Sequence, residues 1–252
     1  MKKLTTLVLA LAFAGVLFAQ ETTQGKVIFQ EVMKLDIKLE GEGAQFADML
    51  PKERKAVKEL LFTPDASIYR KSKDAEEAED VSMDHGGMSV QIKMAEPDNQ
   101  FYVDIKKQKT IEKQEFMSRN FLIEDGVEAS GWKLTGEQKS ILDYSCQKAI
   151  KRDKEDKEII AWFTPAIPVS TGPVGYIGLP GLVLEVVTNN GDNTITAKSI
   201  ELAEVDKADI SKPKKGKKVT REQYDKIVEE KMKEMGAQQG EGGGTFIMRI
   251  ER

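Results

Sequence analysis

Three side chains capable of metal chemistry sit close together as Met83-x-His85-x-x-Met88. Thioether and imidazole are soft or borderline ligands, and their spacing suits Cu(I). Asp84 adds an oxygen donor between them. The cluster lies in an acidic, glycine-containing stretch, where three ligands are weakly pre-organised. A flexible turn that carries Met and His is the plainer account. His85 and Cys146 are the only histidine and the only cysteine. A catalytic thiol needs a base beside it. Cys146 lies 61 residues beyond His85 and shares its strand pattern with Leu142 and Tyr144, which points to a core thiol. One cysteine also excludes a disulfide framework and any multi-cysteine metal or iron–sulfur site. Asp and Glu are abundant, but nothing in the sequence singles out a catalytic pair. Trp132 and Trp162 offer faces on which a sugar or lipid could stack, or serve as core anchors. No G-x-S-x-G elbow, P-loop or dinucleotide fingerprint occurs. No cofactor is expected, and the chain reads as a non-enzyme.

The elements that must position these groups read mostly as strands. Residues 26–40 alternate, with Met33, Leu35, Ile37 and Leu39 on one side. Residues 51–61 (PKERKAVKELL) open with proline and place Val57, Leu60 and Leu61 on one helical face, which predicts a short amphipathic helix. Ser67–Arg70 resumes a strand. Residues 72–89 bury little and read as a mobile acidic loop. Strands follow at 90–95, 101–106, 109–117 and 119–124, so closely spaced that antiparallel meanders are implied. A further pair spans 132–150, Asp153–Glu158 is a hairpin turn, and Ile159–Phe163 reads as a central strand. Asn189-Asn190-Gly191-Asp192 joins strands 182–188 and 194–202, a strong hairpin signal. A basic linker at 211–219 carries five lysines. Thr220 then opens a helix with Gln223 in capping-box spacing. Tyr224, Ile227, Val228, Met232 and Met235 form its stripe, and Gly236 stops it. A last strand carries Phe246, Met248 and Ile250.

Length and charge bound the rest. The chain has 252 residues, with 38 basic and 42 acidic side chains and a net charge of −4. That balance argues against a broad nucleic-acid surface. The N-terminus, MKKLTTLVLALAFAGVLFAQ, reads as a secretory signal peptide cut after Ala19, with no cysteine at the cut to carry a lipid. No later apolar run is long enough to span a bilayer.

The most unusual feature is Gly172-Pro-Val-Gly175-Tyr-Ile-Gly178-Leu-Pro-Gly181, with glycine at every third position. Four triplets cannot sustain a collagen helix. The spacing implies a turn-rich loop whose backbone passes close to something or adopts positive φ. Such a loop suits packing across a sheet, and equally a binding rim. Gly178-Leu-Pro-Gly-Leu-Val183 resembles the signature hexapeptide of the GLPGLI family, exported proteins typical of Bacteroidetes. Val183 stands where the family name has Ile. The frame agrees in order: Asn120–Ile123, Trp132-Lys133-Leu134, Tyr144–Ala149, Ala161–Thr164 and Ile167–Pro173. The resemblance spans roughly residues 25–202. It implies an exported protein without an established biochemical role, and a weak link to TonB-dependent outer-membrane receptors. It carries over no catalytic residue.

The sequence therefore predicts a mainly β, α+β chain: one curved antiparallel, half-barrel-like sheet with one or two helices, including a C-terminal helix at 220–235. Residues 1–19 are the signal and 20–252 one domain. The expected function is a periplasmic or secreted binding or accessory module, with an envelope protein or outer-membrane receptor as partner and no nucleic acid. The candidate binding residues are Tyr176, Ile177, Gly178, Leu179, Pro180, Gly181, Trp132 and Trp162. The alternative is copper handling by Met83, His85 and Met88.

Overall fold

Among the described residues, fourteen short β-strands carry the architecture. In a computed structural model, the described residues are 23–35, 51–75, 81–85, 88–92, 96–127 and 129–238. The expected signal peptide, the alternation beyond Leu35 and the expected last strand fall outside them. The strands are β1 (Gly25–Lys34), β2 (Glu53–Phe62), β3 (Ala66–Lys71), β4 (Val81–His85), β5 (Met88–Ile92), β6 (Gln100–Asp104) and β7 (Lys109–Phe116). Then come β8 (Arg119–Gly126), β9 (Lys133–Ile141), β10 (Tyr144–Arg152), β11 (Glu158–Thr164), β12 (Leu182–Thr188), β13 (Asn193–Glu201) and β14 (Lys217–Val219). One α-helix, α1 (Arg221–Gln238), follows among the described residues. It is not apolar enough to cross a membrane.

Twelve strands form one open curved sheet in the order β14-β8-β7-β6-β3-β2-β1-β13-β12-β11-β10-β9. Every pairing is antiparallel except β14 on β8. This is the curved, mainly antiparallel sheet that the alternation predicts. Val27 and Phe29 of β1, Leu60 and Phe62 of β2 and Tyr69 of β3 share one core cluster with Cys146 of β10 and Leu182 and Leu184 of β12. Each such fully buried side chain contributes about 2 kcal/mol.

The residues predicted to form a short helix at 51–61 are instead strand β2. Its sequence favours a helix locally, but β2 pairs with β1 along its whole length and with β3 over Lys58–Phe62. Tertiary pairing overrides helix propensity. Leu60 and Leu61 face different clusters, as successive strand residues must, and Val57 is exposed. Lys58 and Glu59 are buried too, Lys58 paired with Glu96 and Glu59 with Arg70 at 2.8 Å.

Four smaller expectations also change. Residues 81–85 and 88–92, within the stretch read as an acidic loop and its neighbour, form the separate β4–β5 ribbon. The basic linker ends in β14, whose residues pair in parallel with Phe121–Ile123. Leu142 lies in a two-residue turn with Asp143, both at positive φ, rather than on the strand face beside Cys146. Helix α1 runs past Gly236 to Gln238. Its capping box is as predicted: the Gln223 amide donates to Thr220 Oγ1 at 3.2 Å, and the Thr220 amide donates to Gln223 Oε1 at 3.0 Å. Tyr224 packs edge-on against Phe121 of β8 at 5.4 Å. The helix thus covers one end of the sheet.

Candidate functional site

The connection from β11 to β12, residues 165–181, packs against strands from both halves of the sheet. Ile167 and Val169 are buried in the main core cluster. Thr171 accepts the Val183 amide at 2.9 Å, and its hydroxyl meets that of Ser67 on β3 at 2.7 Å. A 3-10 turn at Pro173–Gly175 packs near β3, β6 and β12. The glycine spacing follows from close approaches. Gly175 has φ +73°, and a Cβ there would strike the Phe101 ring. Gly178 has φ +93°, and a Cβ there would fall on the Ala129 carbonyl. At Gly181 a Cβ would meet the Thr164 carbonyl oxygen.

Where this loop turns, it meets a cavity of about 390 Å³. One wall comes from β6–β8, through Phe101, Thr110, Glu112 and Ile123. The other comes from β10 and β11 and their hairpin, through Lys151, Asp153, Lys154 and Ile159. Val174, Tyr176 and Ile177 of the loop, Trp132 and Arg221 add to the lining. Strands separated by most of the sheet order therefore face one space, which only a curved sheet allows.

The polar and aromatic parts of this lining are fixed by their neighbours. Trp132 Nε1–H donates to the Ile177 carbonyl at 2.9 Å, and its ring stands edge-on to Tyr176 at 6.3 Å. Burial pushes the Tyr176 phenol up to about 12, and the Asp153 carboxylate adds to the effect. Glu112 is buried in mid-strand and accepts hydrogen bonds from Gln114 and from Arg221 at the start of α1. The lining contains four carboxylates (Glu112, Asp125, Asp153, Glu155) and three cations (Lys151, Lys154, Arg221). The space thus offers aromatic surface together with donors and acceptors of nearly balanced charge.

The structure separates the sequence-predicted residues. Tyr176, Ile177 and Trp132 line the cavity; Gly178, Leu179, Pro180, Gly181 and Trp162 do not. Leu179 is buried against Phe163 and Val183. Trp162 packs on the main core with the Lys139 ammonium 4.4 Å over its ring, while Trp132 packs on a different cluster. Met83, His85 and Met88 lie on the β4–β5 ribbon, with His85 opposite Met88 and Met83 opposite Val90. Among the described residues, no three His, Cys, Asp or Glu side chains converge as a metal site. Cys146 is wholly buried, its thiol pushed up to about 11 by burial, which disfavours a nucleophilic thiolate.

Phe101, Glu112 and Arg221 were not singled out by sequence reasoning. One signal was present. Thr110, Glu112 and Gln114 occupy alternate positions of β7, and these polar residues are the buried ones. A second buried polar group joins Glu31, Lys58, Tyr69 and Glu96. The Tyr69 hydroxyl donates to Glu31 at 2.7 Å, and burial raises the Glu31 carboxyl despite Lys58 and that hydrogen bond. None of the four lines the cavity.

A family model described as "Protein of unknown function (Porph_ging)" matches residues 151–185, the stretch that runs from the end of β10 through β11 and the glycine–proline loop into β12. No curated protein matches the sequence. Among solved structures, PNGF-II in its C2 crystal form superimposes with a TM-score of 0.54 at 17% identity, over 81% of this chain and 32% of that one. Its P21 form gives 0.52 at 16% identity, over 81% and 33%. The chain spans about a third of PNGF-II, and at this identity the likeness establishes a shared sheet architecture.

Proposed function

We propose that this chain is an exported, non-enzymatic binding module of the GLPGLI type, and that its ligand occupies the cavity between β6–β8 and β10–β11. The observation that carries the reading is the lining itself. Phe101, Trp132 and Tyr176 provide aromatic surface, and near-balanced carboxylates and cations surround it. A neutral ligand with hydroxyl groups and an apolar ring face suits such a wall, because hydroxyls pair with acids and amines alike while the ring stacks. That is the chemistry of an oligosaccharide. A strongly charged ligand would meet repulsion from one set or the other.

The GLPGLI-like hexapeptide falls within the stretch matched by the family of unknown function, which supports the family reading. An envelope location, with an envelope receptor as the first partner to seek, is part of the same proposal and rests on that resemblance. The occurrence of the fold within the longer PNGF-II chain fits a unit that can be built into larger proteins.

The test is tryptophan fluorescence during titration with chitotriose and maltotriose. A saturable change is expected for at least one sugar. It should persist in Trp162→Phe and disappear in Trp132→Phe. Asp125→Ala and Lys154→Ala, at exposed lining positions, should weaken binding without unfolding the chain. No saturable response to either sugar, or binding indifferent to both lining substitutions, contradicts the reading.

A further inference from the structure

A second concavity, about 240 Å³, lies between β8, β14 and α1. Phe121 and Ile227 supply apolar surface; Arg119, Asn120 and Lys217 supply donors. Lys231 and Glu230 also border it, and both have counter-ions on the helix, Glu234 for the lysine and Lys226 for the glutamate at 3.9 Å. Arg119 and Lys217 have no acidic partner among the described residues.

The segment that brings Lys217 here is anchored. Two of its five lysines hold it down: Lys212 pairs with Asp104 at 3.5 Å and Lys218 with Glu124 at 2.9 Å. The β14 ladder fixes Lys217–Val219 against Phe121–Ile123. At Gly216 the backbone passes so close to Asn120 and Phe121 that a Cβ would meet their backbone atoms at 3.0–3.1 Å. Lys214, Lys215 and Lys217 have no acidic partner among the described residues. A chain of net charge −4 thus gathers, on one anchored strap, lysines without acidic partners among the described residues, at a cost in mutual repulsion that an anion would relieve.

We propose that this cleft binds a phosphate group, carried either by a small soluble molecule or by a lipid headgroup. The guanidinium of Arg119 offers a planar fork matched to phosphate oxygens, and Lys217 adds a point charge. The Asn120 amide supplies a further donor. Phe121 and Ile227 would take the carbon skeleton that bears the phosphate. The proposal is independent of the oligosaccharide cavity, because the two sites share no lining residue.

The test is an NMR titration of the full chain with glycerol 3-phosphate, beside sodium chloride at matched ionic strength. Flotation with phosphatidylglycerol or phosphatidylcholine vesicles runs in parallel. Saturable shifts at Arg119–Phe121 and Lys217 are expected with the phosphate and not with chloride. Arg119→Ala/Lys217→Ala should weaken binding roughly tenfold, as loss of charge-assisted hydrogen bonds implies. Lys214→Ala/Lys215→Ala removes the same charge outside the cleft and should change it much less. Binding of soluble phosphate identifies a small-molecule site; binding of phosphatidylglycerol vesicles alone identifies a lipid headgroup. Equal loss in the two double variants would overturn the proposal in favour of diffuse surface charge. Failure of both probes, or identical shifts with chloride, would overturn it outright.

Discussion

The glycine–proline loop at 165–181 and the basic strap at 211–219 both look like connections, yet the fold holds them by opposite means. The loop is buried by backbone contact: its glycines rest on Phe101, Ala129 and Thr164, and Ile167, Val169, Ile177 and Leu179 leave the solvent. The strap lies along the sheet edge on three ladder residues, the exposed Lys218–Glu124 pair and a half-exposed Lys212 paired with the buried Asp104. Close packing tolerates almost no added volume, whereas exposed ion pairs are each worth little. The loop is therefore built as a fixed wall for the cavity, and the strap as an anchored display of charge.

Substitutions should separate the two sharply. The largest effect is expected at Gly178→Val, where positive φ and the Ala129 carbonyl both reject a β-branched side chain. A loss of about 3 kcal/mol or more is expected in urea denaturation, by strain and overpacking combined. A loss under about 1 kcal/mol would mean that the loop can shift and is no fixed wall. Next is Glu112→Ala, which leaves the Arg221 guanidinium and the Gln114 amide without their acceptor. About 2 kcal/mol is expected, because the acid is buried. An unchanged urea midpoint would show that the cavity wall does not depend on this pair.

The two regions should also differ in their response to pH. The Tyr176 phenol is raised from 10 to about 12. Its neutral form therefore contributes stability that is full below pH 10 and is lost as pH rises through about 12. Cys146, raised from 9 to about 11, acts in the same sense over the preceding window. Tyr176→Phe should flatten the fall in melting temperature between about pH 10 and 12. An alkaline limb identical to wild type would break that assignment. At the strap the sign reverses. Lys218 holds the Glu124 carboxyl below 4.5, so its contribution is present above that pH and fades in acid. Lys218→Ala should be the mildest change of the series, within about 0.5 kcal/mol at neutral pH, since the pair is exposed.

Legibility in the sequence followed the range of the forces involved. The Thr220–Gln223 capping box and the Asn189-Asn190-Gly191 turn depend on neighbouring residues, and both form as read. Residues 53–62 carry a helical pattern locally, but strand partners on both sides decide their state. The Met117-Ser118 and Leu142-Asp143 turns adopt positive φ without glycine, so no residue type announced them. For the candidate site, Trp132, Tyr176 and Ile177 could be named in advance because aromatic residues and a glycine-spaced loop stand out. Phe101, Glu112 and Arg221 could not. Glu112 and Arg221 meet across 109 residues of chain, because β14 pairs beside β8 and so delivers the start of α1 to β7.

The central claim is that this cavity is where the protein binds. Amide chemical-shift mapping of the full chain with saturating chitotriose or maltotriose tests it most directly. The account predicts shifts concentrated at Val127, Trp132, Lys154 and Val174–Ile177, on both walls and the loop between them. Shifts confined to the convex side or to the β4–β5 ribbon, or none with either sugar, would contradict it.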